Sequence, residues 1–250
     1  MERQLEQIAK SYDRHFIEYG KKDCLGYDNL PEYITNDPEY PAWKAEAENG
    51  VEGSEPIDIR EYLSPEKGMN FISLGCSLNL MRKGYDQWPS TYHGVDISRK
   101  TMQTLKRFAA KNKLPVGALY RASVHATPFE DSFFDIGDCI GVLEYYEKDF
   151  VLQAVREFHR ILKPNGRFVL DIPNADSPSG RVAMRIEACM GRPDLFAMPP
   201  QEFEGMLEAY FEIEDSDRIR AERLGHSHTG TMYFYCLRCK KALEGASAHA

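Results

Sequence analysis

Nowhere in its 250 residues does the sequence hold about 18 consecutive apolar residues, so no membrane-spanning helix is expected. The first ten residues, Met1 to Lys10, are polar and lack an apolar h-region, so no secretory signal is expected either. A basic surplus is also missing. The 31 Lys and Arg are outnumbered by 39 Asp and Glu, and the net charge of −8 disfavours general binding to a phosphate backbone. Cysteines are few and scattered, six in all at 24, 76, 139, 189, 236 and 239, which makes no disulfide framework in a chain this long. A cytoplasmic location follows as the expectation, with neither nucleic acid nor membrane as partner. No internal repeat is visible, and no Gly-x-Gly-x-x-Gly occurs, which disfavours a nicotinamide oxidoreductase.

One cysteine pair has the spacing of a metal or redox site, Cys236-Leu-Arg-Cys239. It lies in the aromatic run Thr231 to Cys239, which reads as a strand, and residues three apart on a strand point to opposite faces. No metal site is therefore expected there, although His226 and His228 are near in sequence.

What is present is a globular composition, 42% hydrophobic against 28% charged, enough for a substantial core. Residues 1–66 show no strand-like alternation. Leu5, Ile8, Tyr12, Phe16 and Tyr19 recur at three- and four-residue steps, the apolar face of a helix. A loop-like stretch follows, with Pro31, Pro38, Gly53 and Pro56 among Tyr27, Tyr33, Tyr40 and Trp43. That is too aromatic for a disordered linker. Residues 1–66 are expected to form a helical, aromatic cover on a domain at 67–241, with 242–250 as a tail.

From Met69 the pattern changes. Strands are expected at 69–74, 91–96, 117–122, 133–140 and 167–172. A helix capped by Ser98 buries Met102, Leu105 and Ala109 and stops before Pro115. Another, capped by Asp149, buries Val151, Val155, Phe158 and Leu162 and is ended by Pro164-Asn165-Gly166. An insert at about 175–198 breaks the alternation with Pro178, Gly180, Gly191 and Pro193 around a short helix. A helix from about Pro200 to Tyr210 precedes strands near 211–219 and 230–239. Strands alternating with helices give an α/β fold. The expected form is a doubly wound, mostly parallel seven-stranded sheet, with the 69–74 strand central and the last two strands antiparallel.

In such a sheet a ligand sits beyond the carboxyl ends of the strands, where the winding reverses. The first strand ends in Leu74-Gly75-Cys76-Ser77-Leu78-Asn79, and Gly75 lets backbone come close to a ligand. Asp96 closes the second strand. A carboxylate there accepts hydrogen bonds from both hydroxyls of a ribose, the alternative being a cap or turn residue. Asp138, inside a central strand, needs a partner if buried; it marks a polar pocket or an earlier end to the strand.

These segments resemble a known family. Ile72-Ser-Leu-Gly-Cys-Ser-Leu-Asn79 is similar to the first glycine-rich motif of class I S-adenosylmethionine-dependent methyltransferases, and Gly94-Val-Asp-Ile-Ser98 to their second-strand motif. Ala126 to Asp135 and Gly141-Val-Leu-Glu144 resemble the segments flanking their fourth strand, and Arg156 to Leu170 their helix-turn-strand signature. The resemblance is collinear over about 69–174. Tyr12-Asp13 is similar to the pair with which many small-molecule members cover the cofactor. The resemblance implies a Rossmann-like sheet, S-adenosylmethionine as cofactor and a small-molecule acceptor as partner, with a homodimer left open. It implies that Ser73, Gly75 and Ser77 approach the methionine part, Asp96 the ribose and Ile97 one adenine face. Ser123 and Val124 would lie by the adenine edge, Ile140 and Gly141 near the sulfonium, and Tyr12 over it.

The chain departs from the family at informative places. Ser73 stands where an acidic residue is usual, Ser77 and Asn79 replace two glycines, and Ser123 replaces an aspartate. Asn79 is expected to keep the left-handed turn. Two lost charge-assisted hydrogen bonds, each worth roughly 1.5–3 kcal/mol, weaken binding by roughly 10²-fold or more without compensation. Tyr12, His15, Tyr19 and His125 are the candidate compensators.

Glu144 and Tyr145 are the candidate catalytic residues, on the loop after the fourth strand with Tyr146; Asp171 ends the fifth strand. Each is otherwise a solvated loop residue. Arg181, Arg185 and Arg192, and Arg218, Arg220 and Arg223, are candidates for an acidic acceptor or else solvated faces. Met184, Met190 and Met198 suggest an adaptable apolar wall or core filling. The leading reading is methyl transfer by direct in-line attack on the sulfonium carbon. Its rivals are an inactive binding or scaffold protein of the same fold and an enzyme with an altered cofactor pose.

Overall fold

Among the described residues, seven strands gather the apolar alternation of the sequence into one sheet, in the spatial order Val116–Arg121, Thr91–Asp96, Asn70–Leu74, Phe134–Cys139, Leu162–Pro173, Met232–Cys239 and Phe211–Ser216. The computed structural model describes residues 2–19, 30–51, 56–189 and 195–241; of residues 2 and 14–19 only the backbone is described. Cys24, Tyr27, Gly53, the 190–194 part of the insert, the 242–250 tail and the side chains of His15, Phe16 and Tyr19 lie outside the described residues.

Helices α1 (Glu2–Tyr19), α2 (Glu32–Thr35), α3 (Tyr40–Asn49) and α4 (Ile59–Leu63) precede the first strand. Then come β1 (Asn70–Leu74), α5 (Asn79–Arg82), β2 (Thr91–Asp96), α6 (Arg99–Asn112), β3 (Val116–Arg121), β4 (Phe134–Cys139) and α7 (Lys148–Ile161). The chain closes with β5 (Leu162–Pro173), α8 (Pro178–Cys189), α9 (Pro200–Leu207), β6 (Phe211–Ser216), α10 (Asp217–Arg223) and β7 (Met232–Cys239). β1 lies inside the sheet and pairs in parallel with β2 and β4, as expected of the 69–74 segment. β7 runs antiparallel between β5 and β6. No described helix is long and apolar enough to cross a membrane.

Apolar side chains cover both faces of the sheet. On one face Ile72, Leu74, Phe134, Phe168 and Leu170 meet Val151, Val155 and Phe158 of α7. On the other, Phe71, Ile136 and Val169 meet Tyr85, Trp88, Met102 and Leu105. Cys236 belongs to the second cluster and Cys239 to the first, so the two thiols do lie on opposite faces. In a third cluster Ile34 and Trp43 pack on Val182 and Ile186 of α8.

Three element boundaries differ from expectation. Glu147, not Asp149, precedes α7; Asp149 lies in the first helical turn, where the dipole favours a carboxylate. The Pro164-Asn165-Gly166 turn falls within β5 as an irregularity. Pairing with β4 jumps from Phe134–Leu162 to Ile136–Arg167, and Asn165 has φ 65°. β6 stops at Ser216 because that side chain accepts the Ile219 N–H at 3.2 Å and starts α10.

Candidate active site

β1 ends at Leu74, and Gly75 turns the chain at φ 64°, backbone that glycine enters freely. Space demands glycine as well, since a Cβ there would meet Val142 Cγ2 at 2.2 Å. Ser77 stands at φ 40°, left-handed backbone that costs an L residue about 1–2 kcal/mol. The expected left-handed residue, Asn79, instead begins the right-handed α5. Asp96, the last residue of β2, ties this turn to the next helix. Its Oδ2 accepts the Ser77 N–H at 2.9 Å and its Oδ1 the Ser98 N–H at 2.7 Å. Ser98 caps α6 as expected, its Oγ accepting the Thr101 N–H at 3.0 Å.

A cleft of about 490 Å³ opens beyond these strand ends. Gly75, Ser77 and Asp96 line it, with Ile97, Val124, Ile140, Gly141 and Val142. α1 contributes Ile8 and Tyr12, and the turn after β4 contributes Tyr145 and Tyr146. Asp13 fixes α1 in place: its carboxylate accepts the Ser98 hydroxyl at 2.6 Å and the Lys100 N–H at 3.3 Å at the start of α6. Gln4 Nε2 donates to the Tyr145 carbonyl at 2.9 Å, and the Tyr12 hydroxyl donates to that of Tyr145 at 3.3 Å. Burial pushes the Asp96 carboxyl up to about 6, against the opposing pull of its two N–H donors.

A second chamber of about 760 Å³ meets the cleft at Gly141, which lines both. Glu144, Asp171 and Glu187 line it, with Trp43, Met184, Ile186 and Leu195. Asp171 Oδ1 accepts the Gly141 N–H at 2.8 Å, and burial pushes the Asp171 carboxyl up to about 7. Tyr145 joins the two spaces, its hydroxyl donating to Glu187 Oε2 at 3.2 Å while its ring lines the cleft.

Of the twelve cofactor and catalytic candidates, Tyr12, Gly75, Ser77, Asp96, Ile97, Val124, Ile140, Gly141 and Tyr145 share the cleft, while Glu144 lines the chamber. Ser73 does not reach the cleft. It is fully buried on the Phe71 face of β1, in register with Asp138. Ser123 is also absent from the wall; its hydroxyl pairs with His125 Nδ1 at 2.7 Å, because a bridge to Ala126 folds that loop back. His125 stacks obliquely on Phe150, ring centres 4.7 Å apart. Asp138 keeps its place in β4 and accepts the Tyr85 hydroxyl at 2.5 Å, with burial raising its carboxyl.

The described arginines of both clusters are engaged by carboxylates of this chain, and Arg192 lies outside the described residues. Arg181 and Arg185 pair with Glu39, and Arg185 also with Asp37, joining α8 to the residues before α3. Arg218 pairs with Glu204 and Glu222, and Arg220 and Arg223 with Asp215. Sequence reasoning missed Ile8 and Val142 as site residues, and Trp43 and Glu187 as chamber walls. Glu187 had a readable signal, a carboxylate one helical turn from Ala183 and Met184 on an otherwise apolar face of α8.

Comparison with known proteins agrees with this geometry. The family described as "Methyltransferase domain" matches residues 72–170. A sterol 4-C-methyltransferase of Caenorhabditis elegans is 22% identical over 186 residues, 71% of this chain and 53% of that protein. The chain spans about half or less of the length of the curated relatives it matches, 53%, 44% and 30% of three of them. Among solved structures, geranyl diphosphate C-methyltransferase from Streptomyces coelicolor A3(2), in complex with Mg2+, geranyl diphosphate and S-adenosyl-L-homocysteine, superposes with TM-score 0.59 at 15% identity. That match covers 96% of this chain and 98% of the other. The [4+2]-cyclase SpnF superposes with TM-score 0.55 at 16% identity, covering 72% and 78%. At such identities the likeness is one of fold.

Proposed function

We propose that the chain is a class I S-adenosylmethionine-dependent methyltransferase, as its 72–170 match to a methyltransferase domain supports, and that it transfers a methyl group from S-adenosylmethionine to a small-molecule acceptor. The carrying observation is the cleft at the carboxyl ends of β1, β2 and β4, with the buried Asp96 carboxylate on its wall and a second chamber meeting it at Gly141. The residues fit such a cofactor. Ile97 and Val124 give apolar surfaces for a base, Asp96 takes ribose hydroxyls, and the backbone of Gly75 and Ser77 meets the amino-acid end. Bound there, the cofactor supplies an electrophilic methyl group on a sulfonium.

The chain's own part is alignment, exclusion of water and proton handling. Tyr12 and Ile8 close the cleft from α1, and Tyr145 and Glu144 orient an acceptor arriving from the chamber. Asp171, with its carboxyl raised to about 7, takes a proton from an acceptor that has one to lose. Calorimetric titration with S-adenosylmethionine and S-adenosylhomocysteine tests the reading, saturable binding of both being the expected outcome.

One set of observations favours the rival readings. Ser77 carries the strain of φ 40°, and Ser73 offers no carboxylate under the turn. Binding of neither ligand would hand the protein to a scaffold role; tight binding without transfer to any acceptor would favour an altered pose.

A further inference from the structure

We propose that Asp138 is a positioning residue for the cofactor: from behind the Gly75–Ser77 turn, its buried carboxylate draws the α-ammonium of the amino-acid end inward. The inference rests on the reading that the cleft holds S-adenosylmethionine, and it names the residue that orients that end.

Asp138 is fully buried in β4, and Ser73 of β1, equally buried, stands beside it in register. Both strands run on into the wall of the cleft. Gly75 and Ser77, two and four residues beyond Ser73, line it, as do Ile140 and Gly141, two and three residues beyond Asp138. At about 3.3 Å per residue, two residues of strand set Asp138 roughly 7 Å behind that wall. The lining backbone lies within reach of its charge. Burial raises the thiol of Cys76, inside the turn, and the carboxylates of Asp96 and Asp138 raise it further. Asp171, which holds the Gly141 N–H, is raised first by burial and also by Asp138.

The surroundings leave this carboxylate half satisfied. Its Oδ2 accepts the Tyr85 hydroxyl at 2.5 Å, while Oδ1 has no hydrogen-bond partner. The nearby Ser73 hydroxyl favours the charged form, yet its oxygen completes no hydrogen bond either. Burial pushes the carboxyl up, and Lys83, the cation that opposes this, is exposed and screened by water. An anchor for Tyr85 needs one oxygen, so the second asks for another role. A cation in the cleft supplies it, because a buried charge acts across several ångströms of low-dielectric interior. The cofactor's own carboxylate is turned outward by the same field. Ser73 is explained as well. A second acid in register with Asp138 would face a like charge, so the pair carries one carboxylate, on β4.

The test is calorimetry on the full chain with three probes. They are S-adenosylhomocysteine, its desamino analogue with hydrogen in place of the α-amino group, and 5′-methylthioadenosine, which lacks the amino-acid end. Wild type should bind S-adenosylhomocysteine about tenfold or more tighter than the desamino analogue. Asp138→Asn keeps an oxygen for Tyr85 and should cut that preference to about twofold, with neither of the other two probes bound more weakly. The exchange S73D with D138S should restore most of the preference, and it decides the matter if D138N does not fold. Equal binding of S-adenosylhomocysteine and the desamino analogue by wild type overturns the proposal. So does an equal loss for all three probes in D138N, an unchanged preference in D138N, or an exchange variant without the preference. Failure of wild type to bind S-adenosylhomocysteine would instead refute the cofactor reading, and the proposal with it.

Discussion

Asp96→Asn is the sharpest probe of the cleft, because it removes a charge and keeps a shape. The carboxylate is 7% exposed and already accepts N–H groups from Ser77 and Ser98, so the amide retains one oxygen for the turn. The other position becomes an NH₂ facing donors. Two ribose hydroxyls that bonded to a charged acceptor then lose most of that interaction, about 2 kcal/mol, or about 30-fold in affinity for S-adenosylhomocysteine. Burial holds the wild-type carboxyl at about 6, and the proposed ribose contact requires its ionised form. Wild-type affinity should therefore be full above pH 7 and decline as pH falls through about 6, while D96N stays flat. Stability has the opposite sign. An acid whose carboxyl is raised on folding adds stability at low pH and loses it as pH rises through about 6, so D96N need not melt earlier at pH 7.5. Titration from pH 5 to 8 with melting curves alongside checks both. An unchanged dissociation constant in D96N, or a pH slope equal to that of wild type, would refute the assignment of the ribose to Asp96.

Two further substitutions address the turn and the cover. Gly75→Ala places a Cβ 2.2 Å from Val142 Cγ2 in left-handed backbone, and should cost about 2–3 kcal/mol of stability; Val142→Ala in the same chain should restore part of it, and additive losses would disprove the clash. Asp13→Ala removes the acceptor of the Ser98 hydroxyl and Lys100 N–H, and should lower S-adenosylhomocysteine affinity about tenfold with unchanged circular dichroism. Deleting residues 1–20 should abolish it, and equal, tight binding by full-length and shortened chains would remove the cover from the site.

The sheet was legible because its strands obey local rules. Apolar runs ending at Gly75, Asp96, Arg121 and Cys139, and helices capped or stopped by Ser98 and Pro115, are written in neighbouring residues. The errors fell where one residue serves two elements. Ser216 ends a strand and starts a helix, and Asn165 kinks a strand where the sequence reads as a break. The pairing of β7 between β5 and β6 depends on contacts far apart in sequence, and alternation alone predicts only that the last two strands are antiparallel.

The cleft was legible for a similar reason, since Gly75, Asp96, Ile97 and Gly141 all sit at a strand end or within two residues past one. The chamber was legible only in part, through Glu144, Asp171 and Met184. Its wall draws Trp43 from α3, Glu144 from the turn after β4, Asp171 from β5 and Glu187 from α8, four segments that converge only when the cover and the insert pack on one another. The same packing removed the acidic-acceptor reading of Arg181 and Arg185. A single sequence shows arginines as available charge, whereas the fold places Glu39 and Asp37 against them.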